Sequence, residues 1–176
     1  MSNQPRPERQ TLLQAVRDAL TDVVAEDHLL LTLEAHELAL VHRFGVYLEE
    51  RLRGHLQDHG LSVDLDYDRH GHLQKFLPER PDRDGDKRFR PDLIVHRRTD
   101  DAHNLLVVEW KKRSSHSMLD LLCVRLESLL VADADYHDYR YDLGVIVDSN
   151  DSGVRWRAYD RGGPVDRWRD IRIRLT

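Results

Sequence analysis

The sequence predicts an α/β fold in which a mixed β-sheet is flanked by helices. Two early segments, residues 11–24 and 33–56, carry apolar side chains at spacings of three and four, the period of an amphipathic helix. Residues 61–67 then alternate apolar and polar side chains, which is the period of a strand with one buried face. Elements that are each apolar on one side bury those sides by packing in layers.

The length and composition are those of one globular domain. The chain has 176 residues, of which 40% are hydrophobic and 34% are charged. A domain typically holds about 100–200 residues, and a chain of this length can bury a core. We expect residues 1–10, which are mostly polar, to form a flexible tail and residues 11–176 to form the domain.

The net charge and the cysteine content limit which functions and which cellular compartment we expect for the protein. The net charge of −5 excludes a generally basic coat for nucleic acid, so contacts to phosphate must come from local patches. Cys123 is the only cysteine, which excludes an internal disulfide and indicates a reducing compartment. No apolar run approaches the ~18 residues of a membrane span. These features predict a cytoplasmic protein with no membrane partner.

The first half of the chain supplies two helices and a strand. The second helix should end near Gly60, because glycine accepts the left-handed conformation that closes a helix. In the strand that follows, Asp64, Asp66 and Asp68 are expected to form its solvated face. Residues 69–90 mix charges with proline and show no periodicity, so we expect a long loop there.

The second half supplies the rest of the sheet. Two apolar runs, residues 93–95 and 105–108, flank a turn-forming stretch at residues 99–101 and together predict a hairpin. A helical spacing follows over residues 118–131. Further strands are expected at residues 143–147, 154–159 and 169–175.

Three charged residues interrupt the apolar hairpin. Side chains two apart on a strand share a face, so Glu109 and Lys111 project together. If the turn centres between residues 100 and 101, Asp92 faces Glu109 and Ile94 faces Val107. Directly opposed side chains have their Cβ atoms roughly 4.5–5.5 Å apart. A register shifted by one residue would move Asp92 to the other face of the sheet.

Two acids held this close in an apolar setting repel each other, and a divalent cation between them turns the repulsion into coordination. Glu37 is a third acid, placed in the apolar stripe of the second helix. Each feature also has a simpler interpretation. Acid-x-Lys occurs by chance, Pro-Asp marks many turns, and Glu37 fits the first turn of a helix, where the dipole favours an acid.

The same residues resemble the signature of the restriction-endonuclease-like PD-(D/E)XK nucleases. The family pattern is an acid on a first helix, Pro-Asp at the start of a strand, and acid-x-Lys on the next strand. Similar small proteins often carry Asp-x-x-Lys-Leu on the following helix, and here the lysine of that motif is replaced by Cys123. The matching segments are Arg90-Pro91-Asp92-Leu93-Ile94-Val95-His96 and Leu106-Val107-Val108-Glu109-Trp110-Lys111-Lys112, with Glu37 as the helix acid.

The resemblance implies a restriction-endonuclease-like fold and hydrolysis of phosphodiester bonds, with DNA as the expected substrate, in repair, restriction or phage defence. Asp92 and Glu109 would hold Mg²⁺ or Mn²⁺, and the main-chain carbonyl of Trp110 would be a further ligand. Glu37 would be an outer ligand or would position water. Lys111 would orient or deprotonate the attacking water, or neutralise charge on the phosphate. The sequence leaves open whether the protein acts as a homodimer or with a partner subunit.

Basic side chains supply candidate contacts to nucleic acid. The C-terminal part, from Val154 onward, carries seven arginines interleaved with aromatic residues, a composition that suits phosphate contact and base stacking. An ordinary edge hairpin whose charges prevent aggregation explains it equally well. Residues 69–90 hold a second basic set. We assign nucleic-acid binding to Lys75, Lys87, Arg88, Arg90, Lys112, Arg155 and Arg157.

A different class of function remains open at this stage. A catalytically inactive nuclease-fold protein would serve as a module that binds nucleic acid or protein. The complete set of Asp92, Glu109 and Lys111 argues against this alternative, because a site that no longer binds a cation has no physical reason to keep two opposed acids.

Overall fold

The main sheet is mixed and curled, and helices flank it on both faces. The computed structural model describes residues 6–67, 90–98, 103–130 and 139–173, together with the main chain of four short strands between residues 69 and 88. The helices are α1 (Arg9–Glu26), α2 (His28–Thr32), α3 (Glu37–His59) and α4 (His116–Leu130). The strands are β1 (Ser62–Leu65), β2 (Arg69–His70), β3 (Leu73–Gln74), β4 (Phe76–Leu77), β5 (Lys87–Arg88), β6 (Leu93–His96), β7 (Leu106–Lys112), β8 (Leu143–Asn150), β9 (Gly153–Asp160), β10 (Gly163–Pro164) and β11 (Arg169–Arg172).

In the described residues, seven strands form the main sheet. Its order is β1, β6, β7, β8, β9, and both β10 and β11 pair with β9. β7 and β8 are parallel, and the other pairs are antiparallel. α4 makes the crossover between the two parallel strands, as a parallel connection requires. The predicted mixed sheet with flanking helices is confirmed.

Two apolar cores lie on the two faces of the sheet. On one face, α1 and α3 pack against the sheet, and the rings of Phe44 and Trp110 lie 5.7 Å apart between α3 and β7. On the other face, α4 covers Ile94, Val107 and Ile146. α4 lies so close to β8 that a Cβ at Gly144 would come within 2.6 Å of Leu126. The central strands are therefore apolar on both sides.

The second helix begins later than predicted. α3 begins at Glu37, and residues 28–32 form the separate short helix α2. Glu34 has a left-handed main chain (φ 54°), which interrupts helical continuity, and Leu33 is 75% exposed. His36 caps α3, because its Nδ1 accepts a hydrogen bond from the Leu38 amide at 3.2 Å. The predicted stop is confirmed, since Gly60 follows α3 with φ 60°.

Other boundaries shift by a few residues. α1 begins at Arg9, inside the segment predicted as a tail, and Arg6 forms an ion pair with Asp142. Residues 69–90 are not a plain loop, because β2 pairs with β3 and β4 pairs with β5. None of the helices in the described part of the chain combines the length and apolarity needed to cross a membrane.

The predicted register of the hairpin is confirmed. Ile94 lies opposite Val107, and Leu93 lies opposite Val108. Both Ile94 and Val107 contribute to the core beneath α4. The register therefore brings Asp92, directly before β6, and Glu109, directly after Val108, to the same end of the strand pair.

Candidate active site

The site begins where β6 meets the second half of β7. Asp92 lies directly before β6, and its main-chain carbonyl accepts a hydrogen bond from the Asp66 amide at 3.2 Å. Its side-chain Oδ2 accepts a hydrogen bond from the Trp110 amide at 2.7 Å. A carboxylate thereby satisfies an amide that a strand partner would otherwise satisfy, and this contact fixes the orientation of Asp92 against β7.

The ammonium group of Lys111 lies at the point where three oxygens converge. Its Nζ is 2.9 Å from Glu37 Oε1, 3.1 Å from Asp92 Oδ2 and 2.5 Å from the carbonyl oxygen of Trp110. These oxygens come from α3, from the start of β6 and from β7. Of the predicted site groups, Glu37, Asp92 and the Trp110 carbonyl therefore all contact the Lys111 nitrogen, and Glu109 makes no hydrogen bond to it among the described contacts.

The surroundings of Lys111 keep it charged. Burial alone lowers the pKa of this amine, but the negative charges of Asp92, Glu37 and Glu109 outweigh burial and hold its pKa above the ordinary value. An amine with a raised pKa is a poor proton acceptor. Charge neutralisation or orientation thus suits Lys111 better than the role of a general base.

Glu109 is the least satisfied acid of the group. Its side chain is buried, and its Oε1 has no hydrogen-bond partner in the part of the chain that the structure describes. Burial raises the pKa of Glu109 to about 8, and the charge of Asp92 adds to the rise, while Lys111 and Arg125 oppose it. A buried carboxyl with a free oxygen is costly unless it serves a ligand.

The donor set fits a small divalent cation. Among the described residues, no three His, Cys, Asp or Glu side chains are gathered as a metal-binding group. The converging donors are two carboxylates and a main-chain carbonyl, with the unpartnered oxygen of Glu109 nearby. Hard cations such as Mg²⁺ take oxygens of these kinds. Because the Lys111 ammonium now lies among these oxygens, a cation bound there would displace it toward solvent.

Glu37 reaches the site from the first turn of α3. It is the first residue of α3 and not a member of a buried stripe, so the helix-start interpretation describes its location. Its partial exposure leaves one side open to solvent. The same position also lets it contact Lys111, so the two interpretations of Glu37 are compatible.

The structure describes the side chains of four of the seven candidate nucleic-acid contacts, namely Arg90, Lys112, Arg155 and Arg157. Lys112 donates to the carbonyls of Glu34 and Ala35, which are both main-chain groups. Arg90 forms an exposed pair with Asp66 at 3.2 Å. Lys75 lies outside the described residues. Only the main chain of Lys87 and Arg88 is described, in β5.

Arg155 and Arg157 lie on β9, two strands from the acids. The register aligns Lys111 with Asp148 and Asp148 with Arg155, so the three form one row across β7, β8 and β9. Neighbouring strands are about 4.8 Å apart, which puts Arg155 roughly 10 Å from Lys111 along the sheet. The guanidinium of Arg155 lies 5.3 Å from the centre of the Trp168 ring, and that of Arg157 lies 5.4 Å from the Tyr159 ring.

Sequence reasoning missed two polar residues at the end of β8. Asp148 is buried and accepts hydrogen bonds from the Ser114 amide at 2.9 Å and from Arg155 Nε at 2.8 Å. Ser149 is buried too, and its Oγ accepts a hydrogen bond from the indole of Trp110 at 3.0 Å. The available signal was an acid directly after the apolar run at residues 143–147, at the same strand end as Lys111.

Comparisons with protein-family models, with curated proteins and with solved structures found no match to this chain.

Proposed function

We propose that this protein is a metal-dependent nuclease that hydrolyses phosphodiester bonds of DNA in the cytoplasm, on a restriction-endonuclease-like PD-(D/E)XK core. One observation carries the proposal. Two carboxylates and a carbonyl converge on a single position at the end of β7, beside Glu109, a buried acid with an oxygen that no described residue bonds. A protein gains no stability from leaving such an acid unsatisfied.

The site residues divide into proposed ligands of a metal ion and one charged lysine. Asp92, Glu109 and the Trp110 carbonyl would hold Mg²⁺ or Mn²⁺, and Glu37 would complete the shell or orient water. When bound, such an ion stabilises charge on the phosphate and lowers the pKa of a coordinated water. Lys111, displaced outward but tethered to the same strand, would place its positive charge against the phosphate oxygen on which negative charge develops.

The row across the sheet supports a phosphate-binding surface beside the site. Asp148 accepts a hydrogen bond from Nε of Arg155, and the Arg155 side chain is 34% exposed. Trp168 supports its flat face. Arginine oriented in this way suits contact with the backbone of nucleic acid near the bond that is cleaved.

Cleavage assays on single-stranded, duplex and branched DNA, with single-stranded RNA alongside, test the proposal. We expect cleavage that requires Mn²⁺ or Mg²⁺, and a fall of at least about 100-fold in Asp92→Ala and in Lys111→Met, since each removes a group aimed at the reacting phosphate. Asp22→Ala is the control, because Asp22 pairs with Arg51 on the exposed side of α3.

Two results would reject this proposal. Equal cleavage by wild type and Asp92→Ala would place the activity in a different site or a contaminant. No metal-dependent cleavage of any of the four substrates by the wild type would remove the nuclease assignment. Cleavage of RNA alone would keep the site and change the substrate.

A binding module is the second candidate, and the ion pairs of Lys111 favour it. Because the ammonium already neutralises Glu37 and Asp92, these acids have a partner without any added cation. Thermal unfolding with Mg²⁺ or Mn²⁺ separates the candidates. An ion at about ten times its dissociation constant adds about 1.4 kcal/mol to the free energy of unfolding, which raises Tm by about 3–5 °C. We expect this rise in wild type and its loss in Asp92→Asn, whereas an unchanged Tm in wild type favours the module.

A further inference from the structure

The segment that precedes Glu37 is held by the end of β7. We name residues 33–36, which join α2 to α3, the connector. The Nζ of Lys112 donates hydrogen bonds to the carbonyl oxygens of Glu34 at 2.8 Å and Ala35 at 2.9 Å. Two of the three ammonium donors of Lys112 are therefore committed to consecutive main-chain carbonyls.

A second contact reinforces the first. The guanidinium of Arg113 lies 2.7 Å from Glu34 Oε1 and 3.2 Å from Asp151 Oδ2. Both Glu34 and Arg113 have left-handed main chains, with φ values of 54° and 51°, which residues other than glycine seldom adopt. Such conformations persist where surrounding contacts over-determine them, and they concentrate at functional sites.

Three consecutive basic residues of the chain thus all contact the connector or the first residue of α3. Lys111 contacts the Glu37 carboxylate, Lys112 contacts the connector carbonyls, and Arg113 contacts the Glu34 carboxylate. β7 also carries Glu109 and receives Asp92 through its Trp110 amide. The strand that fixes two acids of the site therefore also fixes the main chain that delivers the third.

We propose that Lys112 is a positioning residue that sets Glu37 against Asp92 and Glu109, and that it is not a phosphate contact. This inference rests on the proposed nuclease function. The connector joins directly to Glu37. Loss of the two hydrogen bonds at Glu34 and Ala35 therefore lets the first turn of α3 move away from β7. Correct placement of such groups strongly affects rate.

Steady-state cleavage of Lys112→Met and Lys112→Arg tests the positioning role. We expect Lys112→Met to lower kcat about 10-fold with little change in KM, and Lys112→Arg to recover most of the loss because it can donate to the same two carbonyls. The dependence of DNA binding on salt should be the same in Lys112→Met as in wild type. A phosphate contact would instead raise KM and reduce the salt slope by about one, and that result would overturn the inference.

Amide hydrogen exchange supplies a readout that does not need activity. The Leu38 amide bonds to His36 Nδ1 and the Ala39 amide bonds to the His36 carbonyl, so both report on the start of α3. We expect faster exchange at both in Lys112→Met and unchanged exchange in Arg51→Met, which removes a cation farther along the same helix.

The two measurements separate the failure of one proposal from the failure of the other. Faster exchange in Lys112→Met, with a wild type that cleaves nothing, upholds the contact and rejects the nuclease function. A cleaving wild type whose Lys112→Met variant keeps both kcat and exchange rates upholds the function and rejects the positioning role.

Discussion

Two clusters of charged side chains lie at the two ends of strand β6, and they differ in how well their acids are satisfied. At the end of β6, Asp64 accepts hydrogen bonds from Arg98 at 2.6 and 2.9 Å and from His96 at 3.0 Å. At the beginning of β6, Asp92 and Glu37 share one lysine, and the buried Glu109 keeps an oxygen that has no hydrogen-bond partner within the described segments.

The pKa shifts of the two clusters run in opposite directions. Burial raises the pKa of Asp64, but hydrogen bonds from Arg98 and His96 outweigh burial and hold the pKa well below its usual range. Burial raises the pKa of Glu109 and the charge of Asp92 raises it further, and the charges of Lys111 and Arg125 do not offset this rise. An acid whose charged form is fully bonded stabilises the fold, whereas an acid that is buried and under-neutralised destabilises it. The first arrangement is typical of structure and the second of a site.

Substitutions of Glu109 and Asp64 should change the free energy of unfolding in opposite directions, and this is the largest effect that the comparison predicts. At pH 8 in chelator, we expect Glu109→Gln to raise the free energy of unfolding by about 1–3 kcal/mol, because a neutral amide is cheaper to bury than an unpaired carboxylate. We expect Asp64→Asn to lower it by about 1–2 kcal/mol, a range reduced for the exposure of Arg98. Urea unfolding of the three proteins measures both changes.

The controls follow from the proposed roles. Glu109→Gln should lose metal-dependent cleavage while it gains stability, and Asp64→Asn should keep cleavage while it loses stability. A less stable Glu109→Gln protein would show that Glu109 is a structural acid, and the contrast between the clusters would disappear.

A smaller effect is the pH dependence of the Asp64 cluster. Because the pKa of Asp64 is lower in the folded than in the unfolded chain, its contribution is complete above the unfolded pKa of about 3.9 and disappears as pH falls toward the folded pKa. His96, Arg98 and Tyr67 face this carboxylate or its partners. The stability difference between wild type and Asp64→Asn should therefore be constant from about pH 5 to 7 and shrink below about pH 4. A difference that grows on acidification would contradict the ion-pair explanation.

Local patterns were enough to predict the hairpin and the end of α3. The two apolar runs and an assumed turn centre between residues 100 and 101 predicted the register, and the structure has Ile94 opposite Val107 as expected. Gly60 stopped α3 where predicted, since its left-handed conformation is a property of the residue. The expectation that Asp64 is a solvated acid was wrong, because His96 and Arg98 bind its carboxylate. His96 ends β6 and Arg98 follows it, and they are 32 and 34 residues away from Asp64 in the chain, beyond the range of a local pattern.

The start of α3 was also beyond sequence reasoning. Apolar spacing continued through Leu33, so the period predicted one long helix, but the connector is instead fixed by contacts from Lys112 and Arg113 to residues far away in the chain. The same contacts give Lys112 a partner that no local pattern indicates.

By itself, the sequence determined which faces of the strands are apolar, which strands form the hairpin and that Asp92 and Glu109 meet at one end of it. The sequence left open whether Glu37 joins them, and only the tertiary structure decided it, through a contact between Lys111 and this helix residue 74 positions earlier. The physical reason is the range of the interactions. Periodicity and turn geometry depend on residues a few positions apart, whereas the distance between α3 and β7 depends on how whole elements pack across the core.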